Sequence, residues 1–160
     1  MPTILNSFFS SAAALLLLAC AAQAQSTAVL TVQEPPKLIV KRGENPTFAL
    51  KASMRPGYHA NSHTPSEEYL IPMKLTWDAN GPLLAKEVVY PKPRKEKFSF
   101  SESPLSIFDG DFEIITRFQR AANPQPGPGF ITGKLRYQAC NDKMCLPPKT
   151  VDIKLPVLMQ

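Results

Sequence analysis

The sequence predicts an all-β protein, an immunoglobulin-like antiparallel β-sandwich, on three observations. Its 17 prolines are spread along the chain with no long apolar pattern of helical period between them, which argues against helices. Short runs rich in β-branched and aromatic residues recur between turn signals. Several of these runs alternate: Phe48, Leu50 and Ala52 share one face with Lys51 on the other, and Leu135 and Tyr137 oppose Lys134 and Arg136. About eight such strands at this spacing read as a sandwich whose strand order is not legible.

In chain order the expected strands are 29–32, 37–40, 47–52, 70–77, 83–90, 112–118, 130–137 and 151–155. The breaks have their own chemistry. Arg55-Pro56-Gly57 is a turn, Asp78-Ala79-Asn80-Gly81-Pro82 is a hairpin-type turn, and 121–129, rich in proline and glycine, is expected as a flexible or extended connector. The longest irregular stretch, 91–104, places Phe98 and Phe100 among charges and serines. Such aromatics either tuck back into the core or cover something on the surface.

Residues 1–24 read as an export signal rather than as structure. An apolar stretch at 12–19 is too short to span a bilayer, and Ala22-Gln23-Ala24 offers a small-x-small cleavage site before Gln25, although 1–7 carry no Lys or Arg. Leu17-Leu18-Ala19-Cys20 supports a second reading, a lipoprotein signal that makes Cys20 a lipidated first residue. Both are export readings, and lipid at Cys20 is the only membrane attachment expected. The remainder, 25–160, is one domain's worth of chain, large enough to bury a core of its own. The net charge of +5 comes from scattered Lys and Arg, densest at Lys92, Arg94, Lys95 and Lys97. Without an aromatic-interleaved basic face or a reading helix, this pattern excludes nucleic acid as the expected partner.

Two of the three cysteines, Cys140 and Cys145, sit close together, and a protein bound for an oxidising compartment exposes such a pair to oxidants. Asn141-Asp142-Lys143 is turn material between them, and Pro147-Pro148 prevents a helix from starting after the second. This sets the pair apart from C-x-x-C sites, where a helix N-terminus lowers the thiol pKa. A structural disulfide, a redox-active pair and a metal site all remain open at this point. Closing so short a loop adds only about 2 kcal/mol on the loop-length model, so a domain of this size has little need of the bridge for stability. A redox pair needs a thiolate, of which only about 3 % exists at neutral pH without a helpful neighbour. Lys143 is the nearest cation. A zinc or copper reading would add His59 and His63, with Met144 as a soft ligand. Residues four apart on a strand are about 13 Å apart, so those histidines converge only if 61–64 is a loop.

Tyr137-Gln138-Ala139-Cys140 followed by Cys145-Leu146-Pro147-Pro148 resembles the family of N-terminal periplasmic domains of the thiol:disulfide interchange protein DsbD. The resemblance extends through Gly57-Tyr58-His59, Tyr69-Leu70-Ile71-Pro72, Leu75-Thr76-Trp77, Val89-Tyr90-Pro91 and Ile107-Phe108-Asp109-Gly110. It implies a periplasmic thiol-disulfide oxidoreductase of the protein-disulfide reductase type, with no cofactor and no metal. Such a domain relays electrons among thioredoxin-like periplasmic proteins, including disulfide isomerases and those of cytochrome c biogenesis. By position, Cys145 forms the mixed disulfide and Cys140 resolves it. Phe98, with Phe100 as the alternative, would be the aromatic of a cap loop, and Tyr58, His59, Tyr137 and Lys143 would neighbour the site. The sequence departs from the family pattern in three ways: the cysteine spacing is one residue shorter, His59 and Asn61 occupy aromatic places, and the chain stops at Gln160. The last implies a separate membrane electron donor.

Overall fold

A computed structural model describes residues 28–160; the signal-peptide and lipid-anchor readings of 1–24 and Cys20 lie outside the described residues. The described chain is an immunoglobulin-like β-sandwich without helices, so none is long and apolar enough to cross a membrane. Twelve strands are described: β1 (Leu30–Val32), β2 (Leu38–Val40), β3 (Thr47–Met54), β4 (His59–Asn61), β5 (Lys74–Trp77), β6 (Leu83–Val89), β7 (Arg94–Glu96), β8 (Leu105–Phe108), β9 (Asp111–Arg120), β10 (Gly127–Tyr137), β11 (Ala139–Cys140) and β12 (Lys149–Met159).

Two sheets, ordered β1-β3-β9-β6 and β2-β12-β10-β5, enclose the main core, and a smaller sheet, ordered β11-β4-β8-β7, lies beside them. The alternation in β3 places Phe48, Leu50 and Met54 inward, while β10 contributes Ile131, Leu135 and Tyr137 and β12 contributes Ile153, Leu155 and Val157. Burying one such aliphatic side chain stabilises by about 1.5 to 3 kcal/mol. Trp77 bridges the two large sheets: its ring meets Phe48 and Phe118 edge-on, and its Nε1 donates to Thr116 Oγ1 at 2.9 Å. Gly133 is required opposite it, because a Cβ there would come within 2.7 Å of the indole.

Most expected strands are present, with four differences. The pairing is antiparallel except for β2 against β12, which is parallel. Pro35 and Pro36 lack the N–H needed to extend the β1–β3 ladder, and the chain crosses to the edge of the second sheet. The strand expected over 70–77 is reduced to β5, with Pro72 just before it. The expected connector 121–129 ends in strand, because Gly127 pairs with Met159 to start β10. Finally, all four strands of the small sheet lie outside the expected set, and β7 falls inside the supposedly irregular 91–104 stretch.

Candidate redox site

The small sheet has two faces with different duties. Ala60, Phe108 and Ala139 pack into the main core. On the opposite face, Leu105 and Ile107 join Leu70 in a satellite cluster against which Phe98 packs. With core on one side and a loop on the other, β4 and β8 are buried at every position, so they show no alternation.

Cys140 ends β11, and the chain reverses at once. Asn141 N donates to Met144 O (2.9 Å) and Leu146 N to Ala139 O (2.8 Å), which brackets Cys140 and Cys145 as a pair that exchanges no backbone hydrogen bonds. Such pairs are the closest across an antiparallel ladder. Here the Cα atoms are 3.9 Å apart and the two sulfurs form a disulfide. Asn141 shapes the turn, its Oδ1 accepting from Lys143 N and Met144 N (2.9 and 2.8 Å). The two sulfur-bearing residues differ in access: Cys140 is fully buried, whereas Cys145 is only half-buried.

On its other side Cys140 pairs with His59 of β4. The His59 ring stacks on Phe98 at 4.2 Å, and Phe98 stacks in turn on the exposed Phe100 at 5.4 Å. Phe98 thus both tucks into the satellite cluster and covers a neighbour of the cysteines. The loop that carries it is held closed by the Lys97 ammonium, which donates to Ser101 O (2.7 Å) and to Glu102 O, and it reaches the cysteine hairpin through Ser99 Oγ, which donates to Asp142 O at 3.4 Å. Beside His59 lies a depression of about 230 Å³ lined by Tyr58, Arg94, Glu96, Asp109 and Asp142. Arg94 grips Asp109 through two bonds (2.5 and 3.4 Å) and also pairs with Glu96. Burial pushes the His59 pKa below its ordinary 6.5; Glu96 and Asp109 oppose this and Arg94 reinforces it. The His59 Nε2 is buried with no hydrogen-bond partner among the described residues.

The other expected neighbours are placed differently. Tyr137 is a core residue whose pKa is raised by burial, against a bond to the Leu30 backbone, so it faces away from the satellite cluster. Lys143 is exposed at the hairpin tip, without an ion-pair partner among the described residues. His63 stacks on Tyr90 at 4.4 Å, apart from the His59 stack, and burial lowers its pKa as well. Among the described residues no three His, Cys, Asp or Glu side chains form a metal-binding group.

Gln138, within the Tyr137-Gln138-Ala139-Cys140 motif, supports the site. Its Oε1 accepts from Asn61 Nδ2 (3.0 Å) and Ile71 N (3.2 Å), while its Nε2 donates to Leu146 O (3.3 Å). One amide thereby ties both arms of the cysteine hairpin to β4. The signal was a lone amide inside an otherwise apolar approach to Cys140.

Residues 26–156 match the family described as "Thiol:disulfide interchange protein DsbD, N-terminal". The chain belongs to the DsbD N-terminal domain family. The chemistry of that family is thiol-disulfide interchange, and Cys140 and Cys145 are the cysteines among the described residues. Solved structures similar to this DsbD-type domain include the reduced Neisseria meningitidis DsbD N-terminal domain, at 13% identity and a TM-score of 0.47 over 70% of this chain and 78% of that one. The N-terminal periplasmic domain of ScsB from Proteus mirabilis is also similar, at 13% identity and a TM-score of 0.49; the match covers 79% of this chain but 44% of the ScsB chain. No curated protein matches the chain.

Proposed function

We propose that this domain relays reducing equivalents between thioredoxin-like proteins of the periplasm through the Cys140/Cys145 couple, without a cofactor. The observation that carries the reading is the unequal pair. A thiolate attacks the more accessible sulfur of a disulfide, and half-buried Cys145 beside fully buried Cys140 makes Cys145 the residue a partner reaches first. Cys145 is then the residue of the mixed disulfide and Cys140 the one that resolves it. Phe98 and Phe100 form the cap that a docking partner displaces. The backbone bonds of the hairpin and the Gln138 amide hold its shape independently, which favours a redox role over a structural one.

Export rests on the leader, either cleaved after Ala24 or lipidated at Cys20. Electrons would pass through the couple to periplasmic thioredoxin-like oxidoreductases, including those of disulfide isomerisation and cytochrome c biogenesis. The test mixes reduced protein with oxidised thioredoxin-like proteins and follows thiol content. Rapid exchange is expected, with Cys140→Ser trapping a mixed disulfide; no exchange with any such partner overturns the reading.

A further inference from the structure

We propose that His59 takes up the proton of the Cys140 thiol in the step that resolves the mixed disulfide, a role that rests on the exchange reading above. The geometry is that of the sheet. Directly opposed residues of an antiparallel pair project to the same face with Cβ atoms about 5 Å apart. His59 opposes Cys140, and Cys140 opposes Cys145, so imidazole and both sulfurs form one row across adjacent segments. That register sets His59 beside Cys140, the cysteine that is fully buried.

The second observation is the unpartnered Nε2. Buried polar atoms in folded proteins almost always have a hydrogen-bond partner, and an exception calls for a reason. A nitrogen kept free in a closed site is suited to a proton that arrives only during the reaction. Phe98 stacks over the ring and shields it. The groups around the imidazole are Glu96 and Arg94 of β7, Asp109 after β8, Tyr58 before β4 and Asp142 of the hairpin. Their balance with burial leaves His59 neutral at pH 7 and able to accept a proton.

The step balances without any further reagent. Attack by the Cys145 thiolate on a partner protein's disulfide leaves Cys145 joined to one partner sulfur and releases the other. The Cys140 proton then moves to His59, and the Cys140 thiolate attacks the Cys145 sulfur. The Cys140–Cys145 bond forms as the bond from Cys145 to the partner breaks. The partner leaves as a thiolate and is reprotonated from the imidazolium or water. Two electrons have passed from the dithiol to the partner's disulfide.

An aromatic disulfide, 5,5′-dithiobis(2-nitrobenzoate), separates the two steps without a protein partner. Reduced protein should release one thionitrobenzoate as Cys145 attacks and a second as Cys140 resolves. With His59→Phe, which keeps a ring under Phe98, the first phase should be unchanged and the second slowed at least about tenfold at neutral pH. The second-phase rate of the wild type should fall as pH drops through a value below 6.5, an inflection that His59→Phe and the similarly sized His59→Gln lose. An unchanged second phase in either folded variant, or a wild-type profile with no inflection below 6.5, overturns the role of His59 and leaves the exchange reading standing. Failure of the wild type to release a second thionitrobenzoate overturns both. The wild-type profile keeps the test decisive if neither variant folds.

Discussion

Where the two large sheets face each other, strands of up to eleven residues bury an almost wholly apolar interior; in the small sheet beside them, strands of two to four residues bury His59, Asn61 and Ser106, the last bonded to buried Ser62 just after β4. Among the described residues the buried side-chain nitrogen and oxygen atoms without partners, on His59, Asn61 and His63, lie in or just after β4. Leaving such an atom unsatisfied costs about 1 to 3 kcal/mol, a cost that the sandwich can offset and the small sheet cannot. Stability and chemistry are therefore carried by separate parts of one domain, and the small sheet's place depends on the core that its other face helps to form.

That division can be broken from either side. The largest effect belongs to the site: Cys145→Ser should abolish exchange with any disulfide partner while lowering unfolding free energy by only about 2 kcal/mol, the contribution of the short loop it opens. Thiol titration and urea unfolding check the two halves of that statement. Leu50→Ala, at a fully buried place in the sandwich, should do the reverse and cost about 2 to 5 kcal/mol while leaving the reduction potential of the cysteine couple unchanged. A shifted potential in a folded Leu50→Ala protein would show that the two regions are not separable.

Phe98→Ala tests the border between them. Removing the ring that covers His59 should speed reduction of the disulfide by dithiothreitol about tenfold, by uncovering the site. The satellite cluster is small, so stability should fall by no more than about 2 kcal/mol. Gly110, with φ at +56° in the turn from β8 to β9, lies where the small sheet joins a large one. Gly110→Ala meets no atom and should cost only the backbone strain of that conformation, about 1 to 2 kcal/mol.

The smallest effect is that of pH. The folded protein holds His59 and His63 below 6.5, so below that value the unfolded chain binds more protons than the folded one. Stability should be complete above 6.5 and should decline as pH falls through it toward the lowered folded-state values. Urea midpoints measured across this range check the sign, and His59→Phe should flatten its own share of the slope.

The sandwich was legible because its strands are long and half-buried: Phe48, Leu50 and Ala52 alternate with outward residues as an inside and an outside require. The small sheet was not, because His59–Asn61 and Leu105–Phe108 are short and buried throughout, which leaves no period to read. Proline and charge around Arg94–Glu96 disguised an edge strand as a loop. The cysteines and Phe98 stood out by chemical type, as a close pair and as an aromatic in polar surroundings. Tyr137 was drawn toward the site by its closeness to Cys140 in sequence, whereas the strand directs its side chain into the core. The parts played by Gln138 and Asn61 depend on which segments meet in space, and no local pattern records that.

The hairpin around the cysteines has a consequence for timing. Its shape is set by the Asn141 turn, by two backbone bonds flanking the cysteines and by Gln138, none of which involves sulfur. Cutting the disulfide therefore breaks one bond and leaves the frame that brought the sulfurs together. In the exchange proposed above, Cys140 would stay beside a Cys145 joined to a partner, at an effective concentration far above that of any free thiol in solution. The joined state of that exchange would accordingly be brief, leaving a stray thiol little time to intercept it.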